Sequence, residues 1–535
     1  MDEANIKEGE GNPIFASATG GPPPGAGGPP TGVGGPPPGV GGPPPGMGGP
    51  PPGMGRPPGA GGPPPNGAAG NPLGSAPVTA LMLKFAIPSI VGMLVSALYN
   101  IVDQFFIGRK VGTLGNAATS IAFPFTTGCM ALALLFGIGG ASCFNLALGM
   151  GDKKKAGYYV GNALTMLVGC GAVLCGITIG FLEPLLKLFG ASDMVLPYAK
   201  DYVSITAIGF PFLILTTGGG HLIRADGSPK MTMICNITGA LINTVLDYIF
   251  VFQLEWGMKG AAWATVIGQV VSAVIVIVYV SHYKTVKLRA AHFVPIFQHT
   301  SRVMSIGMAS FFNQIAIAVV QIVLNNSLKH YGALSEYGTD DPIACAGIVM
   351  KVNMIVFSIV IGLAQGTQPI ESFNYGARRY DRVKDAYWLA TAAGAIISIL
   401  AFALFQTIPR QILALFANEH ASDGYYEFGA KFFRIFLFFT WINCLQPITS
   451  TFFTSIGKPI KGVILSLTRQ IIFFVPILLV LPAFMGIDGI LYTGPVADFL
   501  SALIAISLAT LELRTMDMFE ELQRQKFLAE HGRKI

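Results

Sequence analysis

The sequence predicts an all-α polytopic membrane protein of twelve transmembrane helices, arranged as two pseudo-symmetric six-helix lobes. Three observations lead there. Of 535 residues, 52% are hydrophobic and only 12% are charged, about half the charged share of a soluble domain. Apolar runs of about 20 residues, the length that crosses a bilayer, recur near 79–108, 117–148, 157–182, 198–223, 231–254, 260–282, 303–329, 343–374, 384–408, 429–453, 461–484 and 489–511. Finally, the halves repeat. GIGGASCFNLALGMGDKKKAG, from Gly137, aligns with GTQPIESFNYGARRYDRVKDA, from Gly366, so that Phe144-Asn145 falls on Phe373-Asn374. RADGSPK with Pro229 recurs as TSIGKP with Pro459, and Gly257-Met-Lys-Gly260 recurs as Gly486-Ile-Asp-Gly489. All three matches share an offset of 229 or 230 residues. An even number of helices per half makes the repeats parallel, about an axis along the membrane normal.

In chain order, residues 1–77 hold 24 glycines and 22 prolines in GGPPPGx units that step by seven. That period is not collagen's, and almost nothing there is apolar, so a disordered cytosolic arm with local polyproline II is expected. Such an arm suits SH3-, WW- or profilin-like modules, with a passive tail as the plainer alternative. Residues 78–282 form the first lobe, 283–302 a polar basic linker, 303–511 the second lobe and 512–535 a cytosolic tail. In that tail Leu522, Phe527 and Leu528 are spaced for one helix face. No basic leader with a short apolar core precedes the first helix. The even connections and the linker carry Lys153, Lys154, Lys155, Arg224, Lys230, Lys284, Arg378, Arg379, Arg382, Lys458 and Lys461, whereas the odd ones are rich in acids such as Glu183, Asp193, Glu255 and Glu336. By the positive-inside rule both termini are cytoplasmic. Topology accounts for these cations, so no nucleic-acid partner is expected. A monomer in the plasma membrane, surrounded by lipid, is the expected state.

Polar residues at membrane depth mark the working parts, because a carboxylate there costs at least about 2.5–3.5 kcal/mol. The first helix carries Asp103, with Tyr99 one turn before it and Pro88 farther back as a hinge or a static bend. The fifth carries Asp247, with Asn243 on the same face at i, i+4. Two carboxyls in one low-dielectric pocket must share a proton or a cation, which suggests a proton- or sodium-coupling site. The second half has no match to Asp103. Its polar residues are Asn313 and Gln314 in the seventh helix, Lys351 and Gln365 in the eighth, and Asp498 in the twelfth. Lys351 is deep enough to need a partner, while Arg469 is expected to snorkel to the nearby interface. His221 near the end of the fourth helix is a candidate cavity residue or second titrating group. So are Gln314, Lys351 and Gln365 as cavity residues.

The seven cysteines fall in or beside apolar runs and show no disulfide or zinc spacing. No GxxxxGK[ST], HExxH or other enzymatic signature is present, so neither enzymatic chemistry nor a cofactor is expected.

The runs AIPSIVGMLVSALYNIVDQFFIGRKVG, LIRADGSPK, GLAQGTQPIESFNYGARRYDRVK and GIDGILYTGPVAD resemble the multidrug and toxic compound extrusion (MATE) transporters, bacterial-type branch, over about 79–511. The resemblance implies a V-shaped pair of lobes and cation-coupled antiport of amphipathic organic, often cationic, small molecules. It places the ion site at Tyr99, Asp103, Asn243, Asp247 and Thr265, with Pro88 as hinge. The paired asparagines common in the family's fourth helix are absent, and Gly220-His221 stands there instead. A lipid-linked or polyprenyl-glycan flippase is the alternative within transport. A membrane-anchored scaffold with a recruiting Pro-rich arm is the alternative outside it.

Overall fold

The structure is a computed structural model and describes residues 71–338, 340–415 and 423–531. Most of the expected arm, residues 1–70, therefore lies outside the described residues. The helices are α1 (Val78–Lys110), α2 (Thr113–Gly149), α3 (Lys153–Gly180), α4 (Leu196–Ala225), α5 (Pro229–Asp247), α6 (Gly257–Ser281), α7 (Phe297–Ala333), α8 (Asp340–Gly376) and α9 (Tyr380–Thr407). The remaining three long ones are the bent pair α10 (Asp423–Phe436 and Leu445–Ser455), α11 (Pro459–Leu467 and Val475–Met485, joined by a π segment) and α12 (Ile487–His531), and short helices at Pro72–Ser75, Leu182–Leu188 and Pro409–Ala414 accompany them. Among the described residues, eleven are long and apolar enough to cross a membrane, twelve with the bent pair counted as one span.

The repeat signals turn out to be helix punctuation. Gly227 and Gly457 have φ of +84° and +73°, and Gly257 and Gly486 have +56° and +59°, values that favour a residue without a Cβ. Pro229 and Pro459 then each open a helix, where a missing N–H leaves no bond unmade.

The halves meet along a seam at the end where the basic connections lie, called here the basic end. Gly139 abuts Val303, Gly307 abuts Leu135, Gly149 abuts Phe373, Gly376 abuts Leu146, Gly362 abuts Ile90 and Gly366 abuts Ala86. A Cβ on any of these six glycines would come within 3.0 Å of the facing backbone, so only glycine permits the approach. Gln368 fastens the seam by donating to Ser142 Oγ (2.8 Å) and to the Ile138 carbonyl (3.3 Å). Toward the other end the same faces separate, and Gly128 of α2 and Gly347 of α8 have nothing within 4 Å.

Each half is also strapped to the other by the segment that enters it. Before α1, the carbonyls of Leu73 and Ala76 accept from Arg382, that of Gly74 from Arg379, and that of Leu73 also from Asn374 Nδ2 (3.0 Å). Arg382 in turn donates to Asn374 Oδ1 (3.0 Å). Leu73 is buried, so residues 71–76 belong to the packed bundle, not to the arm expected to reach 77. Before α7, Asn162 of α3 donates to the carbonyls of His292 and Val294 and accepts from Ile296 N and Thr300 Oγ1, while Thr165 donates to the Phe293 carbonyl.

The expected tail at 512–535 continues α12 without a break to His531. Buried Glu512 receives both Lys458 and Lys461, and Lys384 pairs with Asp517 and Glu520. Leu522 and Leu528 are exposed.

Candidate functional site

The site lies in the first half, where α1, α4, α5 and α6 converge. Residues three or four apart share a helix face. Tyr99 and Asp103 therefore project together from α1, and Asn243 and Asp247 project together from α5. Gly268 lets α6 close on α5, since a Cβ there would lie 2.9 Å from the Gly239 carbonyl and 3.2 Å from the Asn243 Cβ. That approach brings Thr265 Oγ1 to 3.3 Å from Asn243 Nδ2, which donates to it. The carboxyls of Asp103 and Asp247 lie close enough to interact directly across this pocket. Asp247 is also the last residue before the π segment Tyr248–Gln253, an irregularity that frequently accompanies functional positions.

Burial makes this arrangement chemically incomplete. Asp103, Asn243 and Asp247 are 9%, 2% and 1% exposed. Asp103 Oδ1, Asn243 Oδ1 and both carboxylate oxygens of Asp247 nevertheless have no hydrogen-bond donor. Buried acceptors left unpaired are costly, and two acids at this range cannot both stay ionised unless something positive lies between them. A proton shared by the acids or a small cation bound to these oxygens satisfies both demands. Among the described residues no group of three or more His, Cys, Asp or Glu is placed to hold a metal ion.

Of the residues expected from sequence, Tyr99, Asp103, Asn243, Asp247 and Thr265 come together. Pro88 lies in the seam between Ala86 and Ile90, and α1 runs through it unbroken. His221 does not join them. It is buried against Arg224 (Nη1 to Nδ1, 3.2 Å), 19 residues along α4 from Tyr202 and so about 28 Å away. Tyr202 was missed by the sequence reading, and its side chain lies near Thr265 and the two acids. A tyrosine in an apolar helix carries no periodic mark to single it out.

In the second half, Gln365 is buried beside the seam. Gln314 and Lys351 lie on the faces of α7 and α8 that separate beyond it. Lys351 was expected to have a partner, but no ion pair or hydrogen bond engages its ammonium among the described residues. Arg469 was expected to snorkel. Instead its Nε donates to Asp498 Oδ1 at 2.7 Å, with the carboxylate 3% exposed, and Asn443 Nδ2 donates to Oδ2 at 3.2 Å. The carboxylate on α12 holds the guanidinium inside. A separate groove of about 540 Å³ between α7 and α11, lined by residues such as Met304, Met308, Phe312 and Val463, is apolar and remote from the acids.

Comparison with known proteins agrees with this architecture. The MatE family profile matches residues 88–249 and 309–479, one segment in each half. "Multidrug export protein MepA" of Staphylococcus aureus (strain NCTC 8325 / PS 47) is 25% identical over 434 residues, covering 81% of this chain and 93% of that protein. Its namesake in Staphylococcus haemolyticus (strain JCSC1435) is 25% identical over 426 residues, covering 79% and 92%. Among solved structures, the outward-facing conformation of a multidrug resistance MATE family transporter of the MOP superfamily superposes with a TM-score of 0.77 at 22% identity, covering 83% of this chain and 98% of the other. A MOP superfamily transporter from Pyrococcus furiosus, described as having a binding pocket of reverse polarity, gives 0.77 at 21% identity with the same coverage.

Proposed function

The chain belongs to the MatE family, and from that premise we propose that it is a secondary active antiporter. It exports amphipathic organic compounds, cationic ones among them, in exchange for protons or sodium ions. The observation that carries this reading is the facing pair Asp103 and Asp247, buried with three of their carboxylate oxygens and the neighbouring Asn243 Oδ1 unpartnered. The positive-inside rule puts the basic end in the cytosol. The seam is then closed on the cytosolic side, and the faces of α1, α2, α7 and α8 part toward the outside.

In this state a proton or sodium ion enters between the two carboxyls and cancels charge in the pocket. Tyr99, Asn243, Thr265 and Tyr202 surround the acids, so loading alters the packing of α1 against α5 and α6. Pro88 leaves the carbonyl of Lys84 without its helical donor. This places the softest point of α1 inside the seam, where a bend moves Ala86 and Ile90 against Gly366 and Gly362. Ion loading and the relation between the lobes are thereby linked through one helix, and the ion biases the equilibrium by the difference in its affinity for the two states.

The test is efflux of a lipophilic cationic dye from proteoliposomes with a pH gradient and a sodium gradient imposed separately. Export driven by one gradient and lost in Asp103→Asn, with the variant inserted and folded, is the expected result. Export indifferent to both gradients, or retained against the dye gradient in Asp103→Asn, would overturn it.

A further inference from the structure

We propose that Lys351 binds an anionic group of the exported compound, so that the cleft favours amphiphiles carrying a carboxylate or similar oxyanion alongside any cationic group. This rests on the export reading above and extends it to the chemistry of the substrate.

The argument begins at the seam. Gly366 and Gly362 of α8 lie against Ala86 and Ile90 of α1. Eleven residues back from Gly362, three helical turns, the same face presents Lys351. There α1 has diverged. Lys351 and Met354 are exposed, and Gly347 one turn on has nothing within 4 Å. The neighbouring helix behaves likewise. From Gly307, packed on Leu135, the same face of α7 passes through Gln314, Gln321 and Asn325, and Gln321 Nε2 donates to Asn325 Oδ1 at 3.0 Å. Gly128 of α2, on the continuation of the face that meets α7, is also in open space.

This wall therefore offers Lys351 and three carboxamides at depth, with the exposed Lys329 one turn beyond Asn325 near the end of α7. It has no carboxylate of its own, because α7 contains neither Asp nor Glu. On α8, Asp341 is ten residues nearer the mouth, and Glu371 is buried twenty residues the other way. The acids of the first half turn inward, since Asp103 and Asp247 are buried. A cation at membrane depth is tolerated where it faces water or a counter-charge. Water supplies the first need while the cleft is open. When the lobes close, an anionic group on the cargo supplies the second, so a loaded cleft closes more easily than an empty one. The carboxamides can orient the rest of the polar end by hydrogen bonds without selecting its charge.

The experiment uses a matched pair of dyes, a rhodamine with a free carboxylate and its methyl ester, with the full chain in pure phosphatidylcholine vesicles. Lys351→Gln should raise KM for the free acid about fivefold, the weight of one solvent-screened charge pair, and leave the ester nearly unchanged. Lys351→Arg should retain wild-type behaviour toward both dyes. The difference should shrink as salt is raised from about 0.05 to about 0.5 M. Equal changes for both dyes, no change for the acid, or a wild type that moves only the ester would each overturn the proposal. An effect of Lys351→Gln that appears only after an anionic phospholipid is added would give the lysine to lipid headgroups and overturn it too. A wild type that moves neither this pair nor the cationic dye would instead strike the export reading.

Discussion

At the scale of residues, Asp103 and Asp247 are expected to work as one group. If they share a proton or cation, Asp103→Asn and Asp247→Asn should each cost about a hundredfold or more in coupled export, roughly 2.7 kcal/mol. The double variant should cost little more than either one, as groups acting together are non-additive. A double-mutant cycle on dye export across pH checks this, and effects that simply add would place the acids in separate sites. Both acids were legible in the sequence because a charge in an apolar run is expensive and therefore rare. Asn243 was legible through its i, i+4 spacing to Asp247. Arg469 was misread because sequence gives its distance from the end of its helix, not the presence of Asp498 on another helix. Lys351 was expected to need a partner because sequence cannot distinguish a face in lipid from a face on a water-filled cleft.

Among elements, the glycine seam sets how closely α2 and α7 approach at the basic end. Gly307→Ala pushes a methyl group into the Leu135 carbonyl, and overpacking of this kind costs about 1–3 kcal/mol. The cost falls on the closed seam alone, so the population should shift by about fivefold to a hundredfold toward states with the basic end parted. Spin labels near the basic ends of α2 and α7 should report longer distances. Gly128→Ala, which meets nothing within 4 Å, is the control. An unchanged distance distribution in folded Gly307→Ala would show that the seam does not govern closure. The helices and their repeat were visible in sequence through apolar run length and through the glycines and prolines at their ends. Their pairing across the halves was not, because a glycine inside an apolar run reads only as a weak helix former. The end of α12 was hidden for a related reason. Glu512 looks like the onset of a soluble tail until Lys458 and Lys461 are seen to fold onto it.

For the whole molecule, the boundary between arm and bundle can be tested by two truncations. Removing residues 2–70 should leave the transport rate within about tenfold, or roughly 1.4 kcal/mol in barrier. Removing 2–77 also takes away the carbonyls held by Asn374, Arg379 and Arg382, and should lower both the Tm and the rate. Identical behaviour of the two truncations in proteoliposome transport and thermal unfolding would show that the strap carries no weight. Because residues 71–76 belong to the first half in sequence but are tied to the second in space, the chain leaves the bundle across its own dividing line. Tension on the arm is therefore borne first by Asn374, Arg379 and Arg382, and only after they let go by α1. A pull from that side would act like a hand on a drawstring, working on the closure between the lobes without touching either carboxylate.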